Sequence, residues 1–163
     1  MLLLVFQVGG DRYALDANAV NEVLPLVEIR PIPQAPLGVA GMFDFRGAPV
    51  PVIDLSALML GRRAERTLST RLVIVNYPDD AGAMRPLGVI AEKATQTIRR
   101  APSDFVESGV TSDGARYLGP VTRDAGGMVQ RVEVTRLLPA SVRDVLFKRD
   151  VEQSWPSPTS PAC

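Results

Sequence analysis

The stretch from Gly38 to Leu55 constrains the fold of this chain more strongly than any other segment. Its first half, Val39 to Phe45, is rich in branched and aromatic residues, which favour β-strands. A second apolar run extends from Pro49 to Ile53, and the intervening Arg46-Gly47-Ala48 contains a glycine that permits a sharp reversal. We therefore predict two strands joined by a tight turn.

Two prolines, Pro49 and Pro51, lie two positions apart on the second of these strands. Residues two apart on a strand point their N–H groups in the same direction, so one side of the strand lacks both donors. That side cannot face an ordinary ladder partner, and we interpret it as an edge, a bulge or a binding rim. Arg46 at the hairpin tip is a fixed cation that suits a carboxylate on a partner; a solvated turn residue is the equally weighted alternative.

The composition argues against catalysis and against binding of nucleic acid. The chain has 163 residues with 18 basic and 18 acidic side chains, so no net field attracts nucleic acid or anionic lipid. Histidine, the commonest general base and metal ligand, is absent, and the sole cysteine is the final residue, Cys163. No disulfide can form within the chain. We expect no enzymatic activity, no cofactor and no metal site.

The two ends of the chain differ in character. The apolar start, Met1 to Phe6, is short and lacks a basic leader, so we predict a strand and not a signal peptide. No segment is long enough to span a membrane, and the expected location is the cytoplasm. We predict a domain over residues 1–150 and a disordered tail over 151–163, because the tail combines prolines with serines; its Trp155 is a candidate anchor for a partner.

Three short helices are predicted from capping residues and helical spacing. Asp16 is expected to cap a helix from Ala17 to Leu24, and Asp54 a helix from Leu55 to Leu60 that closes at Gly61. Ser141 is expected to cap the third, which extends to Lys148. The apolar positions expected to face the core from the first and third helices are Val20, Val23, Leu24, Val142, Val145 and Leu146.

About ten short strands are predicted from apolar runs bounded by turn residues. They cover residues 2–8, 12–15, 27–30, 39–45, 49–53, 72–77, 87–91, 95–99, 117–121 and 128–133. Residues 101–115 are expected to form a long surface loop that Phe105 and Val106 attach to the core. The strands form two groups separated near Gly61 to Thr70, a pattern that favours small barrels or a sandwich; two five-stranded barrels would fit.

Several motifs in the first half of the chain together resemble the CheW-like domain of bacterial chemosensory systems. They are Tyr13-Ala14-Leu15-Asp16, Val20-Asn21-Glu22-Val23, the Ile32-Pro33…Ala35-Pro36 crossing, and Gly41…Phe45-Arg46-Gly47…Val50-Pro51-Val52-Ile53-Asp54-Leu55. The resemblance is strong from Leu4 to Leu55 and fades beyond Gly61. It persists there in Leu72 to Val75, Leu87-Gly88-Val89-Ile90, and Tyr117-Leu118 with Leu137-Leu138.

This resemblance implies a mainly β fold of two five-stranded SH3-like barrels and an adaptor that catalyses no reaction. Proteins of the family link methyl-accepting receptors to a CheA-type histidine kinase. The resemblance places the cytoplasmic tip of the receptor in a hydrophobic groove between the barrels. It places the regulatory domain of the kinase barrel to barrel against the adaptor, so any association with the membrane is expected to be indirect, through receptor complexes.

The resemblance also transfers a set of partner-contacting positions. They are Arg46, Glu22, Val20 and Gly41, with Leu72, Val73 and Gly88 as weaker matches on the second barrel. Each has a structural alternative: Val20 and Val73 as core residues, and Gly41 as a site of close strand packing. Glu22 and Arg46 could instead pair with each other at the surface, a contact worth roughly 0–1 kcal/mol.

The second half departs from the family pattern. Val89-Ile90-Ala91-Glu92-Lys93-Ala94 stands where the family often shows Val-Val-Asp-x-Val, and Val132-Glu133-Val134 replaces an apolar run closed by an acid. This divergence and the start of the chain are similar to the WspB-type adaptors of the Wsp surface-sensing pathway, which controls cyclic-di-GMP. Flagellar chemotaxis is the alternative pathway. A small nucleic-acid-binding β-barrel is a more distant alternative, disfavoured by the neutral charge and by an aromatic content of 6%.

Overall fold

The computed structural model describes residues 1–147 and shows a mainly β chain, as predicted. The predicted disordered tail, with Trp155, lies outside the described residues. The strands are β1 (Leu2–Val8), β2 (Asp11–Asp16), β3 (Val20–Pro25), β4 (Val39–Phe45), β5 (Ala48–Asp54), β6 (Arg71–Pro78), β7 (Met84–Arg99), β8 (Leu118–Asp124) and β9 (Gly127–Val132). The helices are α1 (Leu55–Leu60) and α2 (Ala140–Leu146), with single 3-10 turns at Ala17–Ala19, Pro102–Asp104, Asp113–Ala115 and Val134–Arg136.

The strands form two groups of five that share the 16-residue strand β7. In the first group, barrel I, β3 pairs with β6, β6 with the first half of β7, β7 with β5, and β5 with β4. In the second, barrel II, the second half of β7 pairs with β1, β1 with β2, β2 with β9, and β9 with β8. Two five-stranded SH3-like barrels therefore make up the domain.

The two barrels do not correspond to the two halves of the sequence. β1 and β2 lie in barrel II beside β8 and β9, whereas β6 and the start of β7 lie in barrel I. This differs from a grouping of strands before and after residues 61–70. The parallel pair of β2 with β9 joins Arg12 to Val129, and no local pattern encodes a contact between such distant positions.

Strand β7 is continuous where two separate strands were predicted. Its partner on one side is β6 as far as Ala91, and β1 pairs with it from Glu92 onward. Lys93 lies at the change of partner with a positive φ of 50°. The pairing with β1 also shifts register nearby, so a bulge bends the strand from one barrel into the other. The polar residues at this bend interrupt the apolar pattern and explain the prediction of two strands.

The main hydrophobic core lies between the barrels, and β1 is buried on both faces. Leu4 and Phe6 face the main core, together with Leu15, Tyr77 and Leu137. The alternate residues, Leu3 and Val5, contact a smaller cluster with Ala14 and Val129 inside barrel II. Burying each such side chain contributes about 1.5–3 kcal/mol, which accounts for the docking of the N-terminal hairpin against both barrels.

The helix predicted from Ala17 to Leu24 is wrong. Asp16 does act as an N-cap, accepting a hydrogen bond from the Asn18 N–H at 2.9 Å, but the helix is a single 3-10 turn. Val20–Pro25 then extends as β3 and pairs with β6. Pairing with a central strand outweighs the weak helical propensity of this valine-containing segment, and Val23 is left 41% exposed.

The strand predicted from Val27 to Arg30 is also wrong. Only Arg30 pairs, through an isolated bridge to Met42. Prolines at positions 31, 33 and 36 follow, and proline cannot donate to a ladder, so the segment crosses the end of barrel I as a loop. None of the helices within residues 1–147 is long and apolar enough to cross a membrane.

Helix α1 has the limits that the sequence predicts. The buried Asp54 carboxylate accepts the Ala57 N–H at 3.2 Å and, with its other oxygen, the Ala64 N–H at 2.9 Å. Gly61 ends the helix with a φ of 75°, in the left-handed region that favours glycine. Asp54 therefore fixes both the start of the helix and the loop that follows it.

The C-terminal part of the described chain differs in detail from the prediction. Helix α2 starts after Pro139 and not at Ser141, with Val142 buried but Val145 47% exposed. Val106 is 67% exposed, and its backbone bridges to Val121, so it does not enter the core. Main-chain hydrogen bonds, not apolar burial, hold that position.

Candidate partner-binding site

The tip of the β4–β5 hairpin presents Arg46 in a conformation that is unusual for a residue with a side chain. Arg46 and Gly47 have φ values of 55° and 86° between the paired residues Phe45 and Ala48. Two positive φ values in a two-residue loop are the geometry of a type I′ turn. The Asp44 carboxylate accepts the Gly47 N–H at 2.8 Å and closes the turn. The left-handed conformation costs Arg46 about 1 kcal/mol, which the hairpin offsets.

The Arg46 guanidinium is held in place although it faces solvent. It donates to the Glu22 carboxylate on β3 at 2.8 Å and lies over the Phe45 ring, 4.7 Å from the ring centre. The Arg46 side chain is 71% exposed. Strand β3 does not pair with the β4–β5 hairpin, so the ion pair bridges two elements that the backbone leaves apart. An ion pair this exposed contributes about 0–1 kcal/mol, so stability alone does not explain it.

Of the edge, the bulge or the binding rim expected from the two prolines, the structure shows an edge. Met42 uses both its N–H and its carbonyl to bond Arg30, at 2.9 and 2.8 Å. Met42 therefore directs its polar groups away from β5, although Pro51 on β5 lies directly opposite it. When one residue of an antiparallel pair directs its N–H and carbonyl outward, its partner does the same. The nitrogen atoms of Pro51 and, two positions along, Pro49 therefore face away from β4. On that outer side, β5 pairs with β7 only from Val52 onward.

Gly41 and Val20 have clear structural roles. A Cβ atom on Gly41 would lie 2.0 Å from the Arg30 carbonyl oxygen, and its φ is 145°. The glycine therefore permits the backbone of the crossing loop to pass directly over β4. Val20 is half-buried and packs against the main core. Of the four first-half positions, the structure brings Glu22 and Arg46 together, and it assigns Gly41 and Val20 to packing.

Leu72, Val73 and Gly88 lie on buried strands of barrel I, not on a second-barrel surface; Val73 faces the main core between the barrels. Leu72 and Val73 have no exposed surface, and Gly88 is buried between Leu72 and β5. A Cβ atom on Gly88 would meet Val52 at 3.0 Å and Leu72 at 3.1 Å. These three residues offer no side chain for direct contact with a partner. An apolar strand residue looks the same in sequence whether its face is covered by its own core or by another protein.

A bidentate ion pair that the sequence did not reveal fixes barrel II. Arg12 on β2 donates to both carboxylate oxygens of Asp124 at the end of β8, at 2.5 and 2.9 Å. The hydrogen bond from Arg12 is the main cause that lowers the pKa of Asp124 to about 2; the Gly126 N–H lowers it further, against the opposing effect of burial. The partners are 112 positions apart, so no sequence signal predicts the pair.

A second surface feature was also missed. An open groove of about 850 Å³ is lined by the segment from Asp104 to Arg116 and by strand β8. Its rim carries the exposed side chains of Val106, Val110 and Met128. Within residues 1–147, no cluster of three or more acidic, histidine or cysteine residues could hold a metal ion. The described surface thus has the exposed and oriented Arg46 cation, and, elsewhere, a groove with an apolar rim. Both features are suited to binding other proteins.

Known proteins resemble this chain over most of its described length. A family model described as CheW-like domain matches residues 2–142. The chain is similar to the chemotaxis protein CheW of Treponema pallidum, with 29% identity over 141 residues that cover 83% of this chain and 80% of the relative. It is also similar to the chemotaxis protein CheW of Rhizobium meliloti, with 25% identity over 144 residues covering 87% and 90%.

A solved structure supports the fold. The scaffolding protein TtCheW from Thermoanaerobacter tengcongensis superimposes with a TM-score of 0.74, covering 86% of this chain and 89% of that protein. The sequence identity is 22%, so this likeness concerns the fold alone.

Proposed function

The chain belongs to the CheW-like domain family, and from that premise we propose that it couples a methyl-accepting receptor to a CheA-type histidine kinase. Proteins of this family are adaptors and not enzymes, which supports the proposal. The specific partners are the cytoplasmic tip of the receptor and the regulatory domain of the kinase. The adaptor transmits the signal by holding the receptor and the kinase in a fixed relative position. It is attached to the cytoplasmic face of the membrane indirectly, through the receptor complex.

The observation that carries this proposal is the geometry of Arg46. The side chain is exposed, oriented by Glu22 and Phe45, and held on a strained turn, yet its ion pair contributes little to stability. A cation with a fixed orientation can form a two-pronged contact with a carboxylate on a partner at a small entropic cost. Glu22 then acts as a positioning residue that keeps the guanidinium ready.

The pathway output is proposed as a Wsp-like control of cyclic-di-GMP, because the second half of the chain diverges from the flagellar pattern at residues 89–94. Flagellar chemotaxis is the second candidate, favoured by the chemotaxis proteins among its relatives. Deleting the gene separates the two: a change in cyclic-di-GMP with normal swimming supports the first pathway, and loss of chemotactic swimming supports the second.

Charge reversal at Arg46 tests the partner-binding site. Arg46→Glu is expected to weaken pull-down of the receptor tip or the kinase regulatory domain by about ten-fold or more, a loss of at least about 1.4 kcal/mol. The melting temperature should stay nearly unchanged, because only an exposed ion pair is lost. Arg66→Glu, which reverses an exposed arginine on the connector before β6, is the matched control and should bind normally.

A charge swap distinguishes binding from internal pairing. The double variant Glu22→Arg with Arg46→Glu restores an ion pair of opposite polarity. If the pair serves only the fold, the double variant recovers all properties of the parent protein. If a partner recognises the Arg46 cation, binding stays lost while the melting temperature matches that of the parent protein. Unfolding of Arg46→Glu alone would contradict the assignment, because the residue would then be structural.

A further inference from the structure

The second half of β7, Thr95–Arg99, is an open sheet edge within the described chain. β1 pairs with Gln96 to Arg99 on one side, and no described residue forms a strand pair on the other side. The Arg100 N–H donates to the Met1 carbonyl at 2.9 Å, so every second N–H before Arg100 on this strand also points toward β1. The N–H groups of Thr97 and Arg99 therefore point away from β1, toward solvent. Strand edges of this kind are templates for another strand.

The neighbouring chain stops where this edge begins. β6 covers the first half of β7, and the Ser69 carbonyl accepts the Ala94 N–H at 3.2 Å just before β6 starts. After Ala94, no described strand pairs with this side of β7. Thr95, Gln96 and Thr97 are exposed. The open segment of five residues has the length of an ordinary strand. An added strand would extend the line of β6 along barrel II.

The edge lacks the features that usually block edge pairing. Residues 95–99 contain no proline, and the register shift of β7 ends at Gln96, so residues 96–99 pair regularly with β1. Thr95, Thr97 and Ile98 are β-branched, so the segment is already suited to a flat, extended conformation. Leu68, which precedes Ser69 in the chain, is 94% exposed.

The charges along the edge identify the kind of partner. Lys93, Arg99 and Arg100 are cationic, and residues 93–100 include no acid. Two copies of this chain paired antiparallel about Thr97 would set this cationic edge of one copy against the same cationic edge of the other, which opposes self-association. An acidic strand meets complementary charge at both ends. We propose that Thr95–Arg99 binds an extended, acidic segment of a partner protein by strand addition, separately from the Arg46 surface.

The test uses the full chain and two labelled peptides. One alternates Val and Thr with Glu, and the other has Lys in place of every Glu. The acidic peptide should bind about ten-fold more tightly than the basic one at low salt. On binding, the Thr97 and Arg99 amides should become protected from hydrogen exchange, having exchanged rapidly in the free protein.

Three variants isolate the edge. Thr97→Pro removes an outward N–H without loss of a bond to β1, so it should weaken binding of the acidic peptide about ten-fold. Thr97→Val keeps that N–H and should bind as the parent protein does. Arg99→Glu leaves the backbone unchanged and should reverse the preference toward the basic peptide; it stays informative if the proline variant fails to fold.

Several results would overturn the proposal. They are equal binding of the two peptides, unchanged binding by Thr97→Pro and Arg99→Glu, and Thr97 and Arg99 amides already protected in the free protein. A dimer in sedimentation that dissociates on Thr97→Pro would make a second copy, and not an acidic partner, the occupant of the edge.

Discussion

Replacing Gly41 with alanine tests whether this residue serves the fold or a partner. The new Cβ atom would lie 2.0 Å from the Arg30 carbonyl oxygen, a backbone atom that cannot rotate away. The crossing loop must then move by more than an ångström. That movement breaks the two hydrogen bonds between Arg30 and Met42, each worth about 0.5–1.5 kcal/mol. The φ of 145° adds about 1–3 kcal/mol of strain for any residue with a side chain.

Together these effects predict that Gly41→Ala lowers the free energy of unfolding by about 2–6 kcal/mol, a large share of typical domain stability. Urea denaturation followed by far-ultraviolet circular dichroism measures the loss. Gly47→Ala is the matched control in the same hairpin: its φ is 86°, but no atom lies within 4 Å of the added Cβ. It should lose only about 1 kcal/mol, from strain alone.

Equal stability losses in the two variants would refute the reasoning, because the contact with Arg30 would then contribute nothing. A Gly41→Ala protein of normal stability that no longer binds its partners would make Gly41 a contact residue instead. The outcome thus separates the two roles that the sequence leaves open for this glycine.

Two further predictions concern stability. Because the pKa of Asp124 is about 2 in the folded protein and 3.8 without its partners, its pair with Arg12 should contribute about 2 kcal/mol above pH 4, lost progressively as the pH falls to 2. Thermal unfolding from pH 2 to 6 measures this loss, and Asp124→Asn should flatten the dependence; an unchanged profile would contradict the role of the pair. Asp54→Ala removes the α1 cap and leaves the Ala64 N–H without its acceptor, so unfolding in urea should show a loss of about 2–4 kcal/mol. A loss below about 0.5 kcal/mol would mean that water replaces the carboxylate.

The features that sequence predicted best depend on a few neighbouring residues. The β4–β5 hairpin, the Asp54 cap and the Gly61 helix end follow from turn and capping chemistry that acts within four positions. The proline edge of β5 follows from the missing N–H groups alone. The motifs around Arg46 and Glu22 also indicated the family, because their side chains are exposed and little constrained by packing.

Tertiary structure decided which strands pair and which residues face a partner. Val20–Pro25 becomes a strand because β6 is available beside it, and β7 serves both barrels because it bends at Lys93. Burial of Leu72 is likewise set by the elements that cover it. These outcomes depend on contacts between residues far apart in the chain, whose energies local propensity does not contain. The sequence by itself therefore determined the turns, the caps and the kind of protein, while long-range pairing determined the barrels and the surface they leave open.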